Sequence, residues 1–169
     1  MAIQSEDKTY YYGEFNFAEV TLYVVVSDIG LCFIGSSESL SKWETKQLEK
    51  KRSPNPEKAL PYIEQLKAYL AGERKAFDLP FDVQSTDFQA EVWAELQKIP
   101  YGQTMTYSEI AHNIGREGAD RAVGSAVGSN PLLIVVPCHR VVTKRGKISN
   151  YREGVAMKEQ LLQLEKANI

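Results

Sequence analysis

Cysteine and histidine are scarce in this chain of 169 residues: two of each, Cys32 and Cys138, His112 and His139. The paired Cys/His spacing of a structural zinc site is therefore missing, and the sequence predicts neither a metal nor a cofactor. Long apolar runs are missing too. The stretches richest in apolar residues, Ala18 to Val26 and Leu132 to Pro137, fall far short of the roughly 20 residues that span a membrane, and no basic-then-apolar leader is expected. These absences predict no membrane partner and a cytoplasmic location, where both thiols stay reduced. Nor does either sign of charge dominate, with 20 Lys/Arg against 22 Asp/Glu. What remains is an ordinary globular composition, 43% apolar and 25% charged, long enough for one large domain or two small ones.

The net charge of −2 is unevenly spread. Residues 1–85 carry 10 bases against 13 acids, a net of −3, and residues 86–169 carry 10 against 9, a net of +1. Between Arg121 and Arg152 stand six bases (Arg121, Arg140, Lys144, Arg145, Lys147, Arg152) and no acid. A phosphate-facing surface takes this form in a protein of acidic pI, and a merely solvated basic face is the competing reading.

Strand-like alternation over Thr9–Phe17, Val20–Val26 and Leu31–Ile34 predicts a small antiparallel sheet. A polar, Lys-rich segment follows. Pro56 near a helix start, with Leu60, Ile63, Leu66 and Leu70 at helical spacing, then predicts a helix packed on that sheet. Phe77–Ser85 has no clean period and reads as a connector, which divides the chain into an α/β domain of residues 1–80 and a second domain of residues 81–169. From Thr86 the period turns helical through Phe88, Val92, Trp93 and Leu96, up to the Pro100-Tyr101-Gly102 turn. Thr106 can cap a short helix that Gly115 ends, and a second helix runs from about Gly118 to Gly128. Two short, tightly joined helices make a helix-turn-helix candidate. The second, Arg121-Ala122-Val123-Gly124-Ser125-Ala126-Val127-Gly128, carries almost no bulky polar side chain after its arginine. Such a helix fits either a close helix contact inside the protein or close approach to a nucleic-acid backbone with Arg121 projecting.

Residues 130–141 read Asn-Pro-Leu-Leu-Ile-Val-Val-Pro-Cys-His-Arg-Val. An apolar strand is expected to deliver Cys138 behind the stiff Pro137. Cationic or basic neighbours lower a thiol pKa, so Cys138 beside His139 and Arg140 carries the signature of a nucleophile. Cys32, inside Gly30-Leu31-Cys32-Phe33-Ile34, reads as a core thiol. A thiol hydrolase using Cys138 with His139 is disfavoured, because consecutive side chains on an extended segment point apart.

The Ile-Val-Val-Pro-Cys-His-Arg-Val-Val string resembles the active-site motif of the O6-alkylguanine-DNA alkyltransferases, also called methylated-DNA–protein-cysteine methyltransferases. Thr106-Tyr107, Arg121-Ala122-Val123-Gly124, Asn130-Pro131, Asn150-Tyr151 and Lys158-Glu159 through Leu161-Leu162 to Glu165 resemble that family in order and spacing. The resemblance implies an α/β, ribonuclease-H-like N-terminal domain and a mainly α, winged-helix-like C-terminal domain whose helix-turn-helix enters the minor groove. It also implies roles. Cys138 would accept the alkyl group, His139 would act as base through a water and be oriented by Glu165, and Tyr107 would donate to guanine N3. Arg121, beside Ala122, would occupy the vacated stack, while Arg116, Arg140, Lys144 and Ser108 would meet phosphates. Asn130, Leu133, Val141, Tyr151 and Arg152 would form the substrate pocket, Leu133 standing where some relatives carry proline or a small side chain. By their own chemistry, Glu153 is expected outside it on the loop and His112 on the surface.

The chemistry calls for these residue types. Displacing guanine from an sp³ carbon needs a soft nucleophile, which a thiolate supplies, and neutralisation of the departing purine anion, which a phenol supplies. The thioether has no easy reverse, so one transfer per molecule is expected. O6 is buried in a paired duplex, which requires base flipping. The implied partner is double-stranded DNA containing O6-alkylguanine, bound by a monomer. A non-catalytic sensor of alkylated DNA is the alternative, and Cys138 argues against it.

Overall fold

Tyr10, Gly13, Phe15, Leu22 and Val24–Val26 are the buried residues of two paired strands, β1 (Thr9–Phe17) and β2 (Val20–Val26), antiparallel from Tyr11 opposite Val26 to Phe17 opposite Val20. The two-residue turn between them places Ala18 and Glu19 at φ 55° and 62°, the left-handed pair that suits the twist of a tight hairpin. β3 (Leu31–Gly35) adds antiparallel to β2. The structure, a computed structural model, describes residues 9–47 and 51–169.

The sheet is not purely antiparallel. β4 (Lys51–Pro54) pairs parallel to β1, giving the order β3-β2-β1-β4, and a short helix, α1 (Ser37–Glu44), precedes it. The Lys-rich segment concealed both. A charged, proline-ended edge strand is held by backbone pairing and needs no apolar alternation, and α1 buries only Leu40. α2 (Pro56–Leu70), with Asn55 as N-cap and Pro56 in the first turn, packs on β1 and β2. Its buried face is Ala59, Ile63, Leu66 and Tyr69, whereas Leu60 is 48% exposed. A β-carbon on Gly13 would stand 2.9 Å from the Ile63 side chain, so glycine lets α2 settle on β1.

The connector has work to do. Leu31 donates its N–H to Pro80 O at 2.9 Å and accepts from Asp82 N–H at 2.8 Å, so residues 80–82 extend the sheet edge by one bridge. A β-carbon at Gly30 would lie 2.5 Å from Pro80 O. Gly30→Ala is therefore expected to destabilise the protein by about 1–3 kcal/mol, because the added methyl group forces the backbone apart. Chemical denaturation checks this, and an unchanged midpoint would show that the strap yields freely.

The chain separates into two compact units, Met1–Val83 and Gln84–Ile169. In the second, α3 (Asp87–Leu96) starts from a Thr86/Gln89 capping box and buries Val92, Trp93 and Leu96. β5 (Met105–Thr106) leads directly into α4 (Tyr107–Asn113), whose capping box is Thr106/Glu109. Gly115 and Gly118, at φ +73° and +83°, make the turn into α5 (Asp120–Gly128). α3, α4 and α5 pack on one another, and Trp93 Nε1 donates to Ala126 O at 2.8 Å. A 3-10 turn, Cys138–Arg140, runs into β6 (Val141–Val142), parallel to β5. A tight hairpin over Thr143–Lys147 forms the wing, and α6 (Val155–Ala167) closes the unit. Among the described residues no helix is long and apolar enough to cross a membrane.

The expected strand before Cys138 does not form. Leu132–Val136 is buried, but its backbone folds on itself: Val135 N–H donates to Leu133 O, Val136 N–H to Leu132 O, and Ile134 sits at φ 73°. Asn130 replaces the missing strand partner. Its Nδ2 donates to Val136 O at 2.8 Å and its Oδ1 accepts from Leu132 N–H at 2.9 Å. A left-handed β-branched residue costs on the order of 1–3 kcal/mol and persists only where its surroundings hold it.

Candidate active site and nucleic-acid interface

Cys138, on the 3-10 turn, borders a cavity of about 790 Å³ together with Tyr107 from α4, Arg121 and Gly124 from α5, Leu133, and Ser149 to Arg152. β5 and β6 bring these elements together: Met105 pairs with Val141 and Thr106 with Val142, so the start of α4 lies beside the end of the Cys138 turn. α5 has one buried and one exposed face. Val123, Ala126 and Val127 are buried in the unit, while Arg121, Ala122, Ser125 and Gly128 are exposed. A β-carbon at Gly124 would only graze the Tyr107 ring, at 3.9 Å.

Burial is the largest influence on Cys138 and pushes its thiol pKa up. A hydrogen bond with the Asn130 side chain and the charges of Arg152 and Lys158 oppose the rise. The expectation that His139 and Arg140 depress this pKa is thus corrected. Arg140 points inward, with Nε donating to Glu165 Oε1 at 2.9 Å, Nη2 to Oε2 at 2.8 Å and Nη1 to Ile99 O at 2.7 Å, and its guanidinium 5.6 Å from the Tyr101 ring centroid. Only 8% of its side chain is exposed, so it cannot serve as the phosphate contact expected of it. Burial thus favours the neutral thiol over the thiolate.

The next residue on the turn is His139. Its Nε2 lies 2.7 Å from Glu165 Oε2 in a fully buried pair, and Gly102 N–H donates to Glu165 Oε1 at 3.1 Å. Burial lowers the His139 pKa, and Arg140 and Lys158 add to the effect. The Glu165 carboxylate opposes it, but two guanidinium nitrogens already hold that carboxylate, so the imidazole stays neutral and able to accept a proton. Glu165 is wholly inside, as the resemblance implied and as its place on a leucine-bearing helix alone would not have suggested.

On the opposite wall the Tyr107 hydroxyl hydrogen-bonds Ser149 Oγ, which accepts from Lys158 Nζ at 3.1 Å; Lys158 also donates to Asn150 O. The sequence reading assigned no role to Ser149 or Lys158. A signal for Lys158 was present nonetheless. Lys158, Leu161 and Glu165 stand at i, i+3 and i+7, so both charges fall on the apolar stripe of α6, and all three are fully buried.

Four of the six bases in the acid-free stretch are exposed: Arg121, Lys144, Arg145 and Lys147. Arg121 and Lys144 line the cavity and also a shallower neighbouring one of about 670 Å³. Ser108 lines both as well, its hydroxyl bonded to Asp120. Arg116 lines neither; it pairs with Glu91 at 3.1 Å and lies over the Phe88 ring. Val141 is buried in β6 opposite Met105 and is not among the cavity residues. Tyr151 and Arg152 do line it, and Arg152 is latched by Nη2 to Asn130 O and by Nη1 to Glu153, both at 3.1 Å. Glu153, expected outside on the loop, has a side chain only 6% exposed, because the Arg152 cation draws it in. His112 is exposed and bonded to Glu117. Among the described residues no group of three or more His, Cys, Asp or Glu could hold a metal ion.

Family models describe both units. The ribonuclease-like domain of 6-O-methylguanine DNA methyltransferase matches residues 10–83, and the DNA-binding domain of the same family matches residues 87–167. The chain is 41% identical to the inducible methylated-DNA–protein-cysteine methyltransferase of Bacillus subtilis, an alignment covering 97% of this chain and 94% of that protein. It is 50% identical over 115 residues to the corresponding protein of Mycobacterium tuberculosis, covering 68% of this chain and 70% of the relative. The crystal structure of the M. tuberculosis O6-methylguanine methyltransferase superposes with a TM-score of 0.83 at 38% identity, covering 95% of this chain and 94% of that one. A crystal structure of M. tuberculosis OGT in complex with DNA matches with the same TM-score at 39% identity.

Proposed function

This chain belongs to the 6-O-methylguanine DNA methyltransferase family, and from that premise we propose how its residues divide the work. It is a DNA-repair protein, a ribonuclease-like domain followed by a DNA-binding domain, that moves an alkyl group from DNA onto its own cysteine. Our reading places the substrate as O6-alkylguanine flipped from duplex DNA into the Cys138 cavity. One observation carries it: a nucleophilic residue type, a phenol and an exposed arginine of the helix-turn-helix line one cavity.

In this reading Cys138 loses its proton through a water to neutral His139, which Glu165 and Arg140 hold in place. The thiolate forms a bond to the alkyl carbon as the carbon–O6 bond breaks. The electron pair leaves with the purine, and Tyr107 supplies a proton to N3. Nothing regenerates the thiol from the thioether, so each molecule acts once. Arg121 fills the gap left in the stack, while Lys144 and its neighbours Arg145 and Lys147 on the wing offer charge to phosphates. All these groups come from one unit of one chain, so the protein acts as a monomer, in the cytoplasm, where Cys32 and Cys138 remain free thiols.

Arg121 works on the duplex and not on the thiol. Arg121→Ala is expected to slow reaction with alkylated duplex DNA by about tenfold or more, since the few kcal/mol of unstacking is no longer offset, and to leave reaction with free O6-alkylguanine base near the wild-type rate. Tyr107→Phe should impair both substrates. Single-turnover rates on the two substrates check this, and an Arg121→Ala variant equally slow on both would place the arginine in the chemistry or the fold.

A further inference from the structure

Arg152 and Glu153 are consecutive in sequence, and on an extended segment their side chains would point apart. Here they are the two central residues of a turn, Tyr151 to Gly154, closed by the Gly154 N–H donating to Tyr151 O at 2.9 Å, with Gly154 at φ 103°. The turn brings the side chains together. Arg152 Nη1 donates to Glu153 Oε2 at 3.1 Å, and only 19% and 6% of the two side chains are exposed. The guanidinium is also fastened by Nη2, which donates to Asn130 O at 3.1 Å and Pro131 O at 3.4 Å. An ion pair this far from water gains little stability over neutral side chains of the same volume. It places a fixed cation on the wall of the Cys138 cavity, with no part in the transfer chemistry.

We propose that this pair sets the reactivity of the nucleophile: the Arg152 cation supports the Cys138 thiolate across the cavity, and the Glu153 carboxylate bonded to that cation holds the support down. The inference rests on Cys138 being the alkyl acceptor. A thiol that acts once is lost to any stray electrophile, so a moderated cation keeps it available for DNA. Arg152 acts through Cys138 and Glu153 acts through Arg152, which makes both of them positioning residues. Neither forms a bond or moves a proton. In either reaction of the thiolate Sγ bonds to carbon, and the electron pair of the breaking bond leaves with guanine or, from iodoacetamide, with iodide.

The electrostatics agree with this division. Burial is the largest influence on Arg152 and lowers its pKa, and the charge of Glu153 opposes that fall more strongly than the charge of Cys138 does. The guanidinium thus feels both anions, and Glu153 more. On Cys138 burial comes first and raises the pKa, while Arg152 leads the two cations that oppose it. A lone cation would act over the full reach of its charge. With a carboxylate 3.1 Å from it the pair is a dipole, whose field falls off more steeply with distance. The other charged or titratable groups around the thiol are His139 on its turn, Tyr107 on α4, Asp120 and Arg121 on α5, Lys144 on the wing, Tyr151 on the loop and Lys158 on α6. Substitution at Arg152 or Glu153 leaves all of these in the chain.

Ionisation of the thiol is read directly from the Cβ chemical shift of carbon-13-labelled cysteine, with Cys32→Ala assigning the Cys138 signal. In the free protein Arg152→Met should move the Cys138 titration midpoint up and Glu153→Gln should move it down, each by about 0.5–1 pH unit. Arg152→Lys, which keeps a cation, should return the midpoint close to the wild-type value. Below the midpoint these shifts are roughly threefold to tenfold in thiolate. Carbamidomethylation of Cys138 at neutral pH should therefore be slower by that factor in Arg152→Met and faster by it in Glu153→Gln, the differences closing once the medium ionises the thiol in every variant. The opposite signs discriminate. If the pair merely fastened the loop, breaking it from either side would disturb the cavity alike and move both variants in one direction. Glu153→Ala carries the same expected sign as Glu153→Gln, and melting curves establish that each variant is folded at the temperature of the titration. Arg152 and Glu153 variants that shift the midpoint the same way, or Glu153 variants that leave it at the wild-type value, overturn the inference, and a methyl group from O6-methylguanine duplex that still maps to Cys138 preserves the acceptor assignment. A methyl group mapped elsewhere overturns that assignment and the inference with it.

Discussion

Cys138→Ser is expected to bind alkylated duplex DNA and to transfer nothing. An oxygen nucleophile at this position is harder and less acidic than sulfur. The charges of Arg152 and Lys158 do not outweigh burial even for the thiol, and Arg140 is committed to Glu165, so a hydroxyl here stays protonated. The side chains are nearly isosteric, so Asn130, the 3-10 turn and the exposed cations of α5 and the wing should stay in place. Cys32 is the internal control. It lies buried in β3, with Sγ 3.5 Å from Gly30 O and 3.9 Å from Asp82 Oδ2, and borders no described cavity that holds Tyr107 or Arg121. Cys32→Ala should therefore transfer at the wild-type rate. After incubation with O6-methylguanine duplex, peptide mass mapping should find one added methyl group, on the Cys138 peptide. A methyl group on Cys32, or residual transfer by Cys138→Ser, would contradict the assignment.

Glu165→Gln is expected to damage fold and chemistry together, which the sequence alone would have ranked as a change at a helix surface. The carboxylate holds Arg140 through three contacts, His139 through one and the Gly102 N–H through another. Its loss leaves a guanidinium buried without a counter-charge, a defect worth about 3–5 kcal/mol, or roughly 6–20 °C in melting temperature at this chain length. His139 adds a pH dependence of definite sign. Its folded pKa is lowered from the ordinary value of 6.5, so the unfolded chain binds the extra proton more readily. The associated stability is fully present above 6.5 and is lost as pH falls through and below that value. Melting temperatures of the wild type measured downward from pH 7 should fall accordingly. The thiol chemistry should fail in parallel. Carbamidomethylation of Cys138 in Glu165→Gln should be slow at neutral pH and recover as the medium becomes alkaline enough to ionise the thiol without help. Burial raises that pKa, so recovery should come above the ordinary thiol value of about 8.5. A deficit that is the same at every pH, in protein that still melts cooperatively, would show that Glu165 does not act through the base.

Local chemistry announces itself over a few residues, and those features were legible in advance. Thr86 and Thr106 carry their own capping boxes, so α3 and α4 begin where a threonine hydroxyl and a Gln or Glu side chain sit three residues apart. Gly115 and Gly118 mark the turn because their φ angles are positive. The Pro-Cys-His-Arg string names a nucleophile by residue type, and its resemblance to the alkyltransferases supplied partners that periodicity could not. Where the local signal was mixed, pairing decided. β4 exists because β1 offers it an edge, and Leu132–Val136, five residues with strand propensity, forms turns because Asn130 satisfies its backbone and no strand edge does.

Charge was the least legible quantity. Six bases without an acid look alike in a sequence, yet two of them, Arg140 and Arg152, face inward on Glu165 and Glu153, and four face water. The sequence by itself determined the two-domain order and the helix-turn-helix, and marked Cys138 and Tyr107 as the candidate nucleophile and acid. Only the tertiary structure decided which cations face water, that burial raises the Cys138 thiol pKa, and that Ser149 and Lys158 stand behind Tyr107. The physical reason is that residue type and spacing act through the local backbone. The energy of a charge depends instead on burial and on partners 25 or more residues away, as Arg140 and Glu165 are, and folding alone brings those together.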